Sequence, residues 1–285
     1  MSSNTKSELF FLKQFGFSDR LLEDIYLFDE SPLTIFFSDE KCINKNLKFT
    51  NKDRVLSKCF EQYSKFKFTL FENEEFLHKN GINRIYFKYD KTELSNLIPL
   101  KKMPLFMYSI GDYSLLNKKI KKVAIIGTRK PKNKSIIITK NIVKKYVEDD
   151  YIIVSGLAEG IDTIAHETVI KHFGRTIAVL PTNFKKIYPK ENNSLAQDIL
   201  KNGLLVSAIG PNEHTYKSSF LDRNLYVANI SDIIIVIETH IKSGTMNTIR
   251  NASEAGKKIL YLNQGDSLVN DKIKNYGGIM IDGNE

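Results

Sequence analysis

Three short stretches hold the residue types that recognition of an anion would need. Gly127-Thr128-Arg129-Lys130 follows the apolar run "VAII", and Ser155-Gly156-Leu157-Ala158-Glu159-Gly160 follows "YIIV". Lys242-Ser243-Gly244-Thr245 closes the stretch after "IIIVIE". Each places glycine and a hydroxyl side chain ahead of a segment with helical character. Glycine lets backbone N–H groups approach a ligand closely, and a helix start presents unpaired donors with partial positive charge. Phosphate suits such turns, and Arg129 and Lys242 add full charge beside two of them. A fourth stretch, "YKSSFLDRNLYVANIS" at 216–231, interleaves Lys217, Arg223 and Asn224 with Tyr216, Phe220 and Tyr226. It reads either as cations on phosphates with aromatic rings stacked on bases, or as an amphipathic helix with Phe220 and Tyr226 in the core.

Other chemistry finds less support. There is no G-x-x-x-x-G-K-[ST] stretch, and "GTRKPK" lacks the second and third glycines of a dinucleotide fingerprint. "HETVI" at 166–170 is not H-E-x-x-H, because position 170 is isoleucine. Asp162 and His166, one helical turn apart, read as support: Asp162 capping N–H groups at a helix start, His166 packing or hydrogen-bonding beneath. Ser155 has no base partner in the sequence and is not expected to be a nucleophile. Repeated phosphate capture without a catalytic cassette points to the backbone of a polymer.

These turns need strands to end on and helices to begin. From about residue 107 onward, β-branched runs recur at 123–126, 151–154, 176–180, 204–208, 233–238, 259–262 and 279–281. Most are continuous rather than alternating, as strands covered on both faces are. Helical segments are expected at 135–149, 160–173, 193–201, 216–229 and 245–255. The βαβ rhythm predicts an α/β fold, an open, mainly parallel, doubly wound sheet in which ligands sit beyond the carboxyl ends of the strands. Residues 1–100 read as a separate, smaller, mostly helical region, with "LLEDIYLF" and "KDRVLSKCFEQYSKF" as helices. The stretch 100–117 reads as the connector.

The 285 residues are 42% hydrophobic, enough for one large domain or two ordinary ones. A net charge of +9 favours an acidic partner, although a Lys-, Asn- and Ile-rich composition also has blander origins. Distribution gives the charge meaning, because Lys118 to Lys145 holds eleven Lys or Arg and no Asp or Glu. Cys42 and Cys59 have no metal-type or redox-type spacing, which suggests buried small apolar residues and a reducing cytoplasm. No stretch approaches eighteen uninterrupted apolar residues, so no membrane role is expected.

Taken in order, "PLFMYSIGDYSLL", "VAIIGTRKP", "IVSGLAEGIDTIAH", "RTIAVLP…IYPKEN", "FLDRN" and "VIETHIKSGTMNTIRNASEAGKKIL" resemble the DNA-processing protein DprA (Smf) family over roughly residues 100–265. The resemblance implies an extended Rossmann-like fold over 101–285, homodimerisation, single-stranded DNA binding without catalysis, and loading of the RecA recombinase during natural transformation. No cofactor or metal is implied. Gly127, Thr128 and Arg129 fall on the family's Gly-Ser-Arg loop, beside Lys130. Ser155, Gly156, Gly160 and Asp162 fall on its S-G-L-A-x-G-I-D loop. Arg223 and Asn224 fall on the R-N step, and Lys242, Ser243 and Gly244, with Thr245 beside them, on the K-S-G turn.

Departures from the family are expected to weaken phosphate binding. Glu159 stands where arginine is usual, Leu225 replaces a second arginine, and "PTNFKK" replaces a glycine-containing turn. Residues 1–100 match poorly, and no C-terminal winged helix is expected. Two other readings use the same pocket: a nucleotide-sensing regulator of a mobile element or phage-defence system, and a base-releasing hydrolase of the lysine-decarboxylase-like family. In the latter case Thr248 occupies the place of the catalytic glutamate.

Overall fold

The computed structural model describes residues 3–37, 47–72 and 82–283; Cys42 lies outside them. Nine strands form one sheet in the order β1-β2-β6-β5-β4-β3-β7-β8-β9. They are β1 (Arg84–Phe87), β2 (Phe106–Gly111), β3 (Lys122–Ile126), β4 (Ile152–Ser155), β5 (Thr176–Leu180), β6 (Leu204–Ser207), β7 (Ile233–Val236), β8 (Lys258–Leu262) and β9 (Gly278–Ile281). Strands β3 to β9 pair in parallel, while β2 runs antiparallel to β6 and β1 antiparallel to β2. The described helices are α1 (Ser3–Phe15), α2 (Asp19–Leu27), α3 (Thr34–Phe37), α4 (Asn51–Leu56), α5 (Phe60–Glu72), α6 (Glu93–Leu97), α7 (Asn133–Glu148), α8 (Ile161–Lys171), α9 (Asn193–Ile199), α10 (Lys217–Ile230), α11 (Gly244–Glu254) and α12 (Ser267–Asn275).

Continuous apolar runs make strands here because both faces of the sheet are covered. Val123 and Ile125 point to the layer of α7 and α8, meeting Ile142, Val143, Ile161 and Val169. Ala124 and Ile126 point the other way, to Tyr226, Val227, Met246 and Ile249 of α10 and α11. The chain starts in the middle of the parallel sheet at β3, builds outward through β4, β5 and β6, then returns to β3 and builds the other way through β7, β8 and β9. The crevice between the carboxyl ends of β3 and β7 is therefore the topological switch point, where such sheets bind ligands.

Two segments differ from the sequence expectation. The stretch read as a connector contains β2, whose Phe106, Met107, Tyr108 and Ser109 are buried. Only a short 3₁₀ turn, Tyr113–Leu116, and no α-helix separates it from β3, so the βαβ rhythm could not reveal it. The first hundred residues include β1 as well as helices. The segment "KDRVLSKCFEQYSKF" is two helices, separated at Ser57–Cys59, and Cys59 is half-buried with its Sγ donating to the Val55 carbonyl.

An aromatic-rich cluster including Phe10, Phe17, Tyr63, Phe87, Phe106 and Tyr108 packs the N-terminal helices on one face of β1 and β2. Its edge is polar. Lys13 Nζ lies 2.8 Å from Asp19 and 3.2 Å from Glu213, and Gln14 donates to both Tyr108 (2.9 Å) and Glu213 (3.1 Å). Burial pushes the Glu213 carboxyl up against the pull of Lys13. Burial acts to lower the Lys13 ammonium, but Asp19 and Glu213 together hold it above the lysine range. Glu213 precedes α10, so this network fixes the approach to a helix that carries site residues. Lys13→Met is expected to lower stability in urea denaturation by about 1–3 kcal/mol, because it strands a buried carboxylate. Lys65→Met, which breaks an exposed pair with Glu61, should change it by less than about 0.5 kcal/mol.

Candidate functional site

A cavity of about 620 Å³ opens at the switch point. Its wall brings together Gly127, Thr128, Arg129 and Lys130 after β3, Gly156 and Asp162 around the loop after β4, Arg223 and Asn224 of α10, and Lys242, Ser243, Gly244 and Thr245 at the start of α11. Segments separated by more than a hundred residues meet because four element ends converge on one crevice.

Hydrogen bonds staple these loops to each other. Thr128 N donates to the Glu238 carbonyl at 2.7 Å, and Ile161 N donates to the Thr128 carbonyl at 3.2 Å. Thr245 Oγ1 donates to the Gly127 carbonyl and Asn224 Nδ2 to the Gly244 carbonyl, both at 3.1 Å. Ser243 caps α11 by accepting from Met246 N at 3.2 Å. The start of this helix thus faces the cavity, where its dipole favours an anion.

Arg223 is the focus of the site. It is 6% exposed, yet its Nε and Nη1 have no hydrogen-bond partner. Nη1 lies 3.6 Å from the Asp162 carboxylate, which already accepts from Gly156 N at 3.2 Å and Ala158 N at 3.4 Å. The guanidinium occupies the space over Gly156 that a side chain would fill, since a Cβ there would stand 1.3 Å from Nη1. Burial pushes the Asp162 carboxyl above its ordinary range, with Arg223 and the two amides opposing. Burial likewise pushes the Arg223 guanidinium down, with Asp162 opposing and Arg129 adding repulsion. A buried cation with two unused donors and a single carboxylate partner has the chemistry to accept an anion.

Two residues read as phosphate-binding candidates from the sequence, Ser155 and Gly160, are not in the cavity wall, and His166, read as a support, is not in it either. Ser155 is fully buried and its Oγ donates to the Ile125 carbonyl at 2.7 Å, tying β4 to β3. Gly160 adopts φ +76°, and a Cβ there would meet the Thr128 carbonyl at 2.4 Å, so it backs the first loop. His166 lies beneath, with Nδ1 2.8 Å from Thr176 Oγ1. The eleven-cation run is divided by the fold. Arg129 and Lys130 reach the cavity, whereas Lys121 and Lys122 stand at the opposite end of β3, about 16 Å away at the usual rise per strand residue. Lys122 is 1% exposed and donates to the Asn117 and Ile120 carbonyls.

Sequence reading missed two supports. Leu157 holds φ +57°, a strained left-handed conformation for a branched side chain. Asn192 Nδ2 fixes it by donating to the Leu157 carbonyl and to Thr163 Oγ1, each at 2.9 Å. The sequence signal for it is the asparagine of "IYPKEN". Among the departures, Leu225 packs against the apolar core. Asn183 of "PTNFKK" donates to the Glu213 carbonyl at 3.3 Å, and exposed Glu159 joins Arg129, Tyr188 and Phe220 around a narrow cleft beside the cavity.

The family model for DNA recombination-mediator protein A matches residues 85–275, which include every loop of the cavity. The chain belongs to this family. Among DprA relatives, the DNA processing protein DprA of Bacillus subtilis is 36% identical over 156 residues, covering 55% of this chain and 52% of that protein. The chain spans about half the length of the curated relatives it matches first. The X-ray structure of DprA from Streptococcus pneumoniae superposes with a TM-score of 0.68 at 25% identity, covering 97% of this chain and 94% of that one. DNA processing protein A from Helicobacter pylori, solved for insight into its single-stranded DNA binding mode, gives 0.60 at 30% identity over 70% of this chain and 91% of that one.

Gly156→Ala is expected to displace the Arg223 guanidinium, costing about 1–3 kcal/mol in denaturation and abolishing phosphate binding by calorimetry. His166 has its pKa depressed to about 3 by burial, with Arg223 adding to it. The unfolded imidazole protonates near 6.5 while the native one stays neutral, so stability must fall as pH drops below 6.5 towards 3. In urea denaturation, wild type should lose stability relative to His166→Gln by about 1.4 kcal/mol per pH unit within that window; parallel pH profiles would contradict it.

Proposed function

We propose that this chain binds single-stranded DNA through its phosphate backbone, without turnover, and delivers the strand to a RecA-type recombinase in natural transformation. The observation that carries this reading is the buried, unsatisfied Arg223 guanidinium, ringed by the glycine loops and the start of α11. Exposed Arg129, Lys130 and Lys242 extend positive charge outward from it. Phe220 forms one wall, set edge-on to Tyr188 at 5.4 Å, and Tyr216 stands 61% exposed nearby. Phosphate sockets beside aromatic rings suit an unpaired strand, whose bases are free to stack. The Helicobacter pylori relative's single-stranded DNA binding supports the same ligand.

The proposal extends to a cytoplasmic homodimer in which residues 101–285 carry the binding site and residues 1–100 form a second part that braces it through Lys13 and Glu213. Among the described residues no helix is long and apolar enough to cross a membrane. Non-catalytic action is supported by the make-up of the cavity wall, where the carboxylate of Asp162 is taken up by Arg223 and two amides and Thr248 stands 3% exposed. A small nucleotide is the second reading, favoured by the cavity's size and by the anionic Glu159 at the rim.

Binding of single-stranded, double-stranded and mononucleotide ligands across a salt series tests this directly. The expected result is a single-strand preference with a negative log–log salt slope. Arg129→Ala and Lys242→Ala should each weaken binding and reduce the slope by about 1. Glu159→Gln should tighten it. Tight mononucleotide binding favours the sensing reading, base release favours the hydrolase, and no single-strand binding at micromolar protein in low salt removes the proposal.

A further inference from the structure

We propose that the hollow between α7 and the carboxyl ends of β7, β8 and β9 is a nucleobase subsite, taking the base of a nucleotide that neighbours the phosphate held at Arg223. This rests on the single-strand reading above. The hollow has a volume of about 570 Å³, close to that of the phosphate cavity, and it lies outside the residues assigned to that cavity.

The two spaces share a wall. Glu238 accepts from Thr128 N on the cavity side through its backbone carbonyl and from Lys132 N at 3.0 Å through its carboxylate, which faces the hollow. A second link runs through Thr239, whose Oγ1 lies 2.7 Å from Ser243 Oγ in the cavity wall and whose N donates to Gln264 Oε1 at 2.6 Å. Gln264 lines the hollow and is further held by the Ile237 carbonyl at 3.3 Å. A strand leaving Arg223 over the loop of Gly127 to Lys130 therefore reaches the hollow next.

The lining suits a base better than a phosphate. Ile138 and Ile281, both partly exposed, supply apolar surface for a flat ring, while Glu238 and Asp282 place carboxylates where a phosphate would be repelled. Carboxylates accept from the exocyclic amino groups of bases. Asn263 offers its amide donors, since its Oδ1 is engaged by Gly265 N at 2.9 Å and Asn270 Nδ2 at 3.0 Å. Lys132 and Lys134 stand exposed at the same hollow, where the adjoining phosphates would lie. Ile137, 61% exposed on α7, is an apolar contact unexplained by the core.

The test combines a variant with a measurement on wild type. Asn141 lines the hollow from an exposed position on α7, so Asn141→Trp fills the space without disturbing the core. It should weaken binding of a labelled oligodeoxynucleotide on the order of tenfold while leaving inorganic phosphate binding at the Arg223 cavity unchanged. In wild type, an oligomer carrying 4-thiothymidine at successive positions should crosslink to peptides containing Asn141 or Asn263 at one position in the strand. If Asn141→Trp binds oligomer as wild type does and crosslinks stay confined to the Phe220 wall, the subsite is overturned although strand binding stands. If wild type binds no single strand, the parent reading fails and takes the subsite with it.

Discussion

The structure of the site depends on keeping one guanidinium out of water without fully pairing it. Removing a cation from solvent costs several kcal/mol unless opposite charge and hydrogen bonds replace hydration. Arg223 receives only part of that compensation. Asp162 is nearby, but the oxygen that faces Arg223, Oδ2, also accepts from both amides of the glycine loop, and Nε and Nη1 make no hydrogen bond. In the proposed function, an incoming anion would complete what the fold leaves incomplete. The absent side chain at Gly156 is the geometric condition for this, because any Cβ would take the guanidinium's place.

The other features of the crevice follow from holding that arrangement rigid. Leu157 accepts a left-handed backbone so that the loop can pass beneath Arg223, and Asn192 holds the strained carbonyl from a distant part of the chain. Asn224, next to Arg223 on α10, ties the opposite wall by bonding the Gly244 carbonyl. The N-terminal helices act at one remove, since Lys13 and Gln14 grip Glu213 just before α10. Preorganisation of this kind lowers the cost of ordering the site when a ligand arrives.

Membership of the DNA recombination-mediator protein A family gives the departures in this chain physical content. Leu225 faces the apolar layer rather than the crevice, so the absence of arginine there is compensated by packing. Glu159 is different, because it is exposed beside Arg129 and brings negative charge to the rim. "PTNFKK" has taken on a bracing role, with Asn183 bonded to the loop before α10 and Phe184 packed between two apolar clusters.

The sequence by itself determined the parallel core and the loops that end its strands. Runs such as "VAII" and "IIIVI" are apolar at every position, as strands covered on both faces are, and glycine followed by a helix marks where the chain turns. The resemblance to the family, not the spacing of residues, grouped Arg223 with Gly156 and set Asp162 beside them as a support. Only the tertiary structure decided which of the candidates share a space. Ser155 points into the sheet because alternate residues of a strand face opposite ways, and Lys122 lies at the far end of a strand from Arg129 although only seven positions separate them in sequence. Strand β2 is not legible locally because its antiparallel pairing, with β1 on one side and with β6 more than ninety residues away on the other, follows no local repeat. The shared wall at Glu238 was equally unreadable, since one residue bonds both hollows only when β3, β7 and α7 are brought side by side.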